Sequence, residues 1–300
     1  MERTDEKLIA VVGATGQQGG GVVRALQARG QFRVRALTRN PDKHPELADE
    51  VVKADLNLPE TLKAAFEGAH GVFLVTNFWE QGTDELKEAT AAVRTAKDAG
   101  VKHFVWSTLP DVEAISGGKF DVPHFTGKAK IDRIVKGAGF VNHTFVIAPT
   151  YYHGLVGASV LHKQPDGSTG WALPIDPAVR CLHMGDITEL GNIVAGAFAH
   201  PDESGNGEYL PLVGDFMSFH EIVSTLNQQG HNFSFKQVPK EVFAAASFPG
   251  AAELADNFGY FQAHTYLGSD SHDRIALANK IAGRLPTTFA AWAQVNVPTT

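Results

Sequence analysis

The stretch from Leu8 to Gly19 constrains this chain more than any other. A continuous apolar run, Leu8-Ile9-Ala10-Val11-Val12, leads straight into Gly13-Ala14-Thr15-Gly16-Gln17-Gln18-Gly19, and helical character then continues over 17–29 until Gly30 stops it. An unbroken apolar run of this length reads as a strand buried on both faces. A glycine-rich turn has mechanical meaning where such a strand ends and a helix begins. Gly13 permits the sharp turn, Gly16 lets the backbone approach a pyrophosphate, and Gly19 lets the helix press on the strand. The helix start offers unpaired N–H groups and a partial positive charge to phosphates. The expectation is a dinucleotide cradle formed by Gly13, Thr15, Gly16, Gln17, Gln18 and Gly19. The competing reading is a plain strand-to-helix loop.

The same alternation runs on through the first half. Apolar runs predict strands over 32–37, 51–54, 72–76, 103–107 and 144–147. Between them lie a short helix opened by Pro59, a helix over 84–97 with Leu86, Ala89, Val93 and Ala96 at helical spacing, and a helix over 123–136. This pattern predicts an α/β fold with a doubly wound parallel sheet, an NAD(P)-binding Rossmann domain over 1–154. Beyond Pro149 the regularity fails: Pro165-Asp166-Gly167-Ser168-Thr169-Gly170 is turn chemistry, and Pro174 and Pro177 interrupt the next segment. A smaller α+β lobe for a substrate or partner is expected over 155–300. Within it, a helix over 186–200, with Asp186 as N-cap and Ile187, Leu190, Ile193, Val194 and Ala197 on one face, is expected to return segment 178–202 to the first domain.

Composition removes several function classes. The net charge of −7, with Lys and Arg scattered, disfavours a nucleic-acid partner. No apolar stretch approaches the roughly 18 residues of a membrane span, and the charged start Met1-Glu2-Arg3-Thr4-Asp5-Glu6-Lys7 is unlike a signal peptide. The expectation is a cytoplasmic monomer or homodimer. The single cysteine, Cys181, excludes an intramolecular disulfide and a cysteine-based zinc cluster. The 13 histidines show no paired-ligand spacing, so no metal site is expected.

The second strand ends at Leu37-Thr38-Arg39-Asn40-Pro41, where a NAD-specific site would carry an acid for the ribose hydroxyl. Arg39 instead can grip the 2′-phosphate of NADP, which favours NADP (NADPH/NADP+) as the cofactor. Its alternative is a solvated loop cation. Asp55 is placed to accept from the adenine amino group, and Thr76 and Asn77 to line the pyrophosphate and nicotinamide-ribose side. Ordinary turn capping competes for all three.

The spacing Gly-x-x-Gly-x-x-Gly points to the short-chain dehydrogenase/reductase superfamily. Together with Leu37-Thr38-Arg39-Asn40-Pro41, Val75-Thr76-Asn77-Phe78-Trp79-Glu80, Trp106-Ser107-Thr108-Leu109-Pro110 and His124-Phe125-Thr126-Gly127-Lys128, it makes the chain resemble the NmrA-like family, atypical members of that superfamily. The likeness continues through Phe248-Pro249-Gly250-Ala251 and Trp292. Ordinary superfamily members reduce carbonyls with a Ser, a Tyr and a Lys four residues later. Here Lys128 is present, but His124 stands where the tyrosine would be.

What the resemblance implies is a redox-sensing, NADP(H)-binding regulator without standard dehydrogenase chemistry. In it, Lys128 is free to bond the nicotinamide ribose and the Pro149-Thr150-Tyr151-Tyr152 turn passes the nicotinamide. The alternative is an NADPH-dependent oxidoreductase acting on a small carbonyl, quinone or imine. For that chemistry the candidate catalytic residues are His124, Lys128, Ser107 and Tyr151, with Thr108 able to orient a carbonyl. Tyr151 and Tyr152 read first as packing under the second lobe and second as a source of the missing phenol, and the aromatic run Phe258, Tyr260, Phe261 and Tyr266 reads first as core or a pocket wall and second as a substrate or partner surface.

Overall fold

The computed structural model describes residues 6–157, 161–164 and 166–298. Met1 to Asp5 of the charged start and Pro165 of the proline-rich turn lie outside them. The first half alternates β1 (Lys7–Val11), α1 (Gln17–Arg29), β2 (Phe32–Thr38), β3 (Glu50–Lys53), α2 (Glu60–Phe66), β4 (Gly71–Leu74) and α3 (Glu85–Asp98). It continues with β5 (His103–Thr108), α4 (Val112–Ser116), α5 (Pro123–Gly137) and β6 (Asn142–Ile147). Helix α1 occupies the predicted residues and ends on Gly30, whose φ of 63° is the left-handed value that glycine tolerates.

The second half contains β7 (Thr150–Tyr151), α6 (Tyr152–Leu155), β8 (His162–Lys163), β9 (Thr169–Leu173), β10 (Leu182–Gly185), α7 (Leu190–Ala199) and α8 (Pro201–Ser204). After these come β11 (Asn206–Pro211), β12 (Asp215–Met217), α9 (Phe219–Gln228) and β13 (Phe233–Gln237). Four helices finish the chain: α10 (Lys240–Ala244), α11 (Ala251–His264), α12 (His272–Ala282) and α13 (Phe289–Asn296).

The principal sheet runs β11-β6-β5-β4-β1-β2-β3, and every pairing in it is parallel. Its order reverses between β1 and β4, so the ends of these two strands open a crevice on the carboxyl edge. The apolar runs predict six strands; the seventh, β11, comes from beyond residue 200. Its register shifts between Asn206 and Tyr209, next to Gly207 at φ 85°, so it lacks the continuous apolar pattern of its neighbours. The helix expected over 186–200 opens instead as a 3-10 turn, Ile187–Glu189, with Asp186 accepting from Thr188 N, before α7 begins.

Helices cover both faces. One layer packs Val22, Leu26, Ile193, Val194 and Phe198 beneath α1 and α7, and the other packs Leu62, Phe66, Val93, Phe104 and Ile131 beneath α2, α3 and α5. Each such fully buried side chain stabilises the fold by roughly 1.5–3 kcal/mol. Helix α1 meets α7 and the turn before it almost backbone to backbone. A Cβ on Gly21 would lie 2.3 Å from Thr188 O, and one on Gly191 2.1 Å from Gly21 O. A third core, including Trp171, Phe219, Tyr260, Phe289 and Trp292, holds the two small sheets, β12-β10-β7 and β13-β9-β8, with α9, α11 and α13.

Candidate functional site

A cleft of about 960 Å³ runs along the carboxyl edge of the principal sheet and continues between it and the second-half helices. Its floor is the glycine-rich turn. Gly13 adopts φ 69°, Gly16 N donates to Gly13 O at 2.9 Å, and a Cβ on Gly19 would lie 2.2 Å from Gly13 O. No residue with a side chain fits at position 19 while the turn keeps this shape. Helix α1 has no side-chain cap and no acid in its first turn, whereas α3, α4, α9 and α13 are each capped by a side chain. The first amides of α1 therefore remain open to an anion. Shape and donor set fit a dinucleotide pyrophosphate.

The candidate cofactor and catalytic residues all line this cleft: the six of the turn, Arg39, Asp55, Thr76, Asn77, Ser107, His124, Lys128, Pro149 and Tyr151. Their local bonding differs from the expectations. Arg39 Nη1 is paired with Glu80 Oε1 at 2.5 Å, and this pair raises the pKa of an already basic guanidinium. Asp55 Oδ1 accepts from Asn57 N at 3.0 Å, and Asn77 Oδ1 from Trp79 N at 3.2 Å, so both also shape their own turns.

Lys128 departs furthest. The expectation leaves it free for a ribose, yet its Nζ donates to Thr76 O at 3.0 Å, Thr76 Oγ1 at 2.9 Å and Glu85 Oε1 at 2.7 Å. Thr76 Oγ1 also donates to Glu85 at 2.6 Å. Burial lowers the pKa of Lys128, and Glu85 opposes that shift. An ammonium on a sheet floor cannot stay unpaired, and Glu85 from the first turn of α3 supplies its counter-charge.

Gln18 joins two candidates. Its Nε2 donates to Tyr151 Oη at 2.8 Å, and its Oε1 accepts from Ser107 Oγ at 2.7 Å. Burial raises the Tyr151 pKa, so the phenol lacks the depressed value that the usual Tyr-Lys pair would provide. Tyr152 is fully buried and bonds Asp215 and Thr287 O, which makes it a packing residue.

His124 sits at the start of α5, and Glu253 on α11 reaches across to it. His124 Nδ1 lies 2.5 Å from Glu253 Oε1, which also accepts from the His124 backbone N–H at 3.0 Å. Burial pushes the Glu253 carboxyl upward, but the bonds from His124 outweigh it and leave the pKa lowered. An ionised carboxylate only accepts, so Nδ1 carries the proton and Nε2 is left to the cleft. Glu253 lies 129 residues away in sequence, and no local signal marks it.

The cleft does not stop at the cradle. Past His124 it is walled by Phe78, Trp79, Phe125, Phe258, Phe261 and Tyr266. The Trp79 ring lies 5.2 Å from the His124 ring and touches the Cβ position of Gly250 at 3.4 Å. One loop, 77–83, thus contributes both the acid paired with Arg39 and the aromatic wall near His124. Among the described residues, no group of three or more His, Cys, Asp and Glu could hold a metal ion, and no helix is long and apolar enough to cross a membrane.

A model of the NmrA-like family matches residues 5–293. An NmrA-like family domain-containing protein of Dictyostelium discoideum is 32% identical over 234 residues, covering 74% of this chain and 77% of its own. An NmrA-like family domain-containing oxidoreductase of Aspergillus hancockii is 30% identical over 335 residues, covering 98% of each chain. Among solved structures, NmrA, a negative transcriptional regulator, in complex with NADP superposes with a TM-score of 0.82 at 22% identity, covering 98% of this chain and 96% of that one.

Proposed function

This chain belongs to the NmrA-like family, and from that premise we propose that it binds NADP(H) and reduces a small carbonyl, quinone or imine compound. One observation carries the reading: the cleft extends past the cradle into an aromatic chamber with His124 in its wall, which gives room for a second molecule beside a dinucleotide. Gly13, Gly16, Gly19 and the first amides of α1 would hold the pyrophosphate, and Arg39 the 2′-phosphate. When bound, NADPH supplies a hydride. Lys128, locked to Glu85 and Thr76, fixes the floor between β4, β5 and α3. His124 in its protonated form gives the Nε2 proton to the oxygen or nitrogen that becomes electron-rich as the neighbouring carbon is reduced. The resulting neutral ring keeps Nδ1–H on Glu253 and regains the other proton from solvent.

The test is consumption of NADPH by purified protein offered aldehydes, ketones, quinones and imines. Turnover that falls on changing His124 to asparagine supports the reading; no turnover of any acceptor by a cofactor-loaded protein would overturn it. A second reading, a redox-sensing regulator, is favoured by loop 77–83, which links the Arg39 region to Gly250. It expects limited proteolysis of residues 77–83 and 245–251 to differ between cofactor-free and cofactor-loaded protein, with no acceptor reduced.

A further inference from the structure

Glu88, in the first turn of α3, lines the cleft. It interacts electrostatically with Arg39 and Asp55, which puts it at the adenosine end of a dinucleotide held as above. The other acids around it are occupied: Glu80 pairs with Arg39, Glu85 pairs with Lys128, Asp84 accepts from Lys87 N, and one Asp55 oxygen accepts from Asn57 N. The Glu88 carboxyl has no hydrogen bond and no ion pair among the described residues. The residue is only 6% exposed, yet neither of its oxygens is fully withdrawn from solvent as Glu85 Oε2 is, so what remains open of the carboxyl faces the cleft. A negative charge is poorly placed there. The start of α3 favours the ionised form, but burial and the charges of Glu85, Glu80, Asp55 and Asp84 raise the Glu88 pKa. The nearby cations, Arg39 and Lys128, are committed to Glu80 and Glu85. A 2′-phosphate arriving at Arg39 would add further negative charge.

We propose that Glu88 meets the adenine of the dinucleotide as a neutral carboxylic acid, its C=O accepting from the exocyclic amino group and its O–H donating to a neighbouring ring nitrogen. Asparagine and glutamine read adenine through this same donor and acceptor pair. A protonated carboxyl presents the pair as well, whereas an ionised one only accepts. Binding therefore takes one proton from solvent, and dissociation returns it. Because the protonated form is the one that binds, affinity is greatest below the pKa of Glu88 in the free protein. It falls as pH rises above that value, by up to about tenfold per pH unit. The inference rests on the cofactor reading, since it assigns a residue to that cofactor's adenine, and it adds a pH dependence that the glycine turn does not supply.

The experiment is calorimetric titration of the full chain in buffers of different ionisation enthalpy, which counts the protons taken up per ligand bound. It is run at about pH 7.5, above the second phosphate pKa of about 6, so that the 2′-phosphate is already a dianion. The probes are NADP+, NAD+, adenosine 2′,5′-bisphosphate and nicotinamide mononucleotide. The three that contain adenine should show proton uptake that disappears in Glu88→Gln, whose amide offers the donor and acceptor with no proton to gain. Nicotinamide mononucleotide should show no difference between the two proteins. Between about pH 7 and 9 the affinity of the parent for NADP+ should fall roughly tenfold or more, while that of Glu88→Gln stays level and at least matches the parent throughout. Equal proton counts in parent and variant, an equal difference with nicotinamide mononucleotide, or weaker NADP+ binding by Glu88→Gln across the range would each overturn the proposal. If the variant does not fold, the parent decides alone: no uptake with any adenine probe is fatal. Failure of every probe to bind removes the cofactor reading as well, whereas binding without the Glu88 proton removes this inference only.

Discussion

Lys128 Nζ and Glu85 Oε1 stand 2.7 Å apart, with side-chain exposures of only 11% and 7%. Removing one partner strands the other charge in a site that excludes water. Glu85→Ala should therefore cost about 3–5 kcal/mol of unfolding free energy in urea titrations. The double change Glu85→Ala, Lys128→Met should recover much of the loss. A single-variant cost below about 1 kcal/mol, the size typical of exposed pairs, would contradict the buried-pair assignment.

Arg39 and Glu80 form a different kind of pair, because their side chains are 58% and 39% exposed. Such a pair is worth about 0–1 kcal/mol, so a phosphate dianion can displace the carboxylate. Arg39→Ala should weaken NADP(H) roughly 10–100-fold, in line with a lost charge-assisted bond, and NAD(H) little. Glu80→Gln should strengthen NADP(H) a few-fold. Calorimetric titration with both dinucleotides reads the two effects, and equal losses for NAD(H) and NADP(H) in Arg39→Ala would remove the phosphate contact.

Gly19 and Gly21 sit two residues apart on α1 with separate duties. A methyl group at 19 collides with Gly13 O, inside the cradle, while one at 21 collides with Thr188 O, on the opposite side of the helix. Gly19→Ala should abolish dinucleotide binding. Gly21→Ala should lower the melting temperature by several degrees and leave the affinity of the folded fraction close to that of the parent. Melting curves with and without NADP+ separate the outcomes: a Gly21→Ala protein that melts normally would refute the close helix crossing.

Asp132 supplies a pH dependence. Burial pushes its carboxyl up from 3.8 to about 6, although the Tyr209 hydroxyl donates to it at 2.7 Å. The folded chain then holds a proton that the unfolded chain releases first. This group's contribution to stability is greatest below pH 3.8, falls as pH rises toward about 6, and levels off above. The shift corresponds to roughly 3 kcal/mol at most. Asp132→Asn should gain stability over the parent as pH climbs through that window. A difference between the two proteins that stays constant with pH would reject the raised carboxyl.

Legibility in the sequence depends on how local each signal is. The β1 run, the glycine turn and α1 show themselves within some twenty consecutive residues, and the structure places all three as read. Arg39 and Thr76 could be located because strand ends project to one edge of a parallel sheet. The partners of these residues could not be located that way. Glu80, Glu85 and Glu253 meet Arg39, Lys128 and His124 only through the packing of separate elements, and no period in the chain encodes it. Glu88 reads as one more acid at a helix start until folding buries it. Strand β11 escaped because Gly207 and its register shift break the apolar run that identifies the other six.

The close crossing at Gly21 and Gly191 also bears on synthesis. Helix α1 leaves the ribosome well before the surface it seals against, which is made about 170 residues later, and α12, which lies over α7, ends at Ala282. The sheet's outer strand, β11, is late as well. A nascent chain therefore carries its glycine turn half-assembled until α12 has been made, so chaperones have a long interval in which to meet it, and nonsense truncations between α1 and α12 should yield aggregates rather than a working fragment.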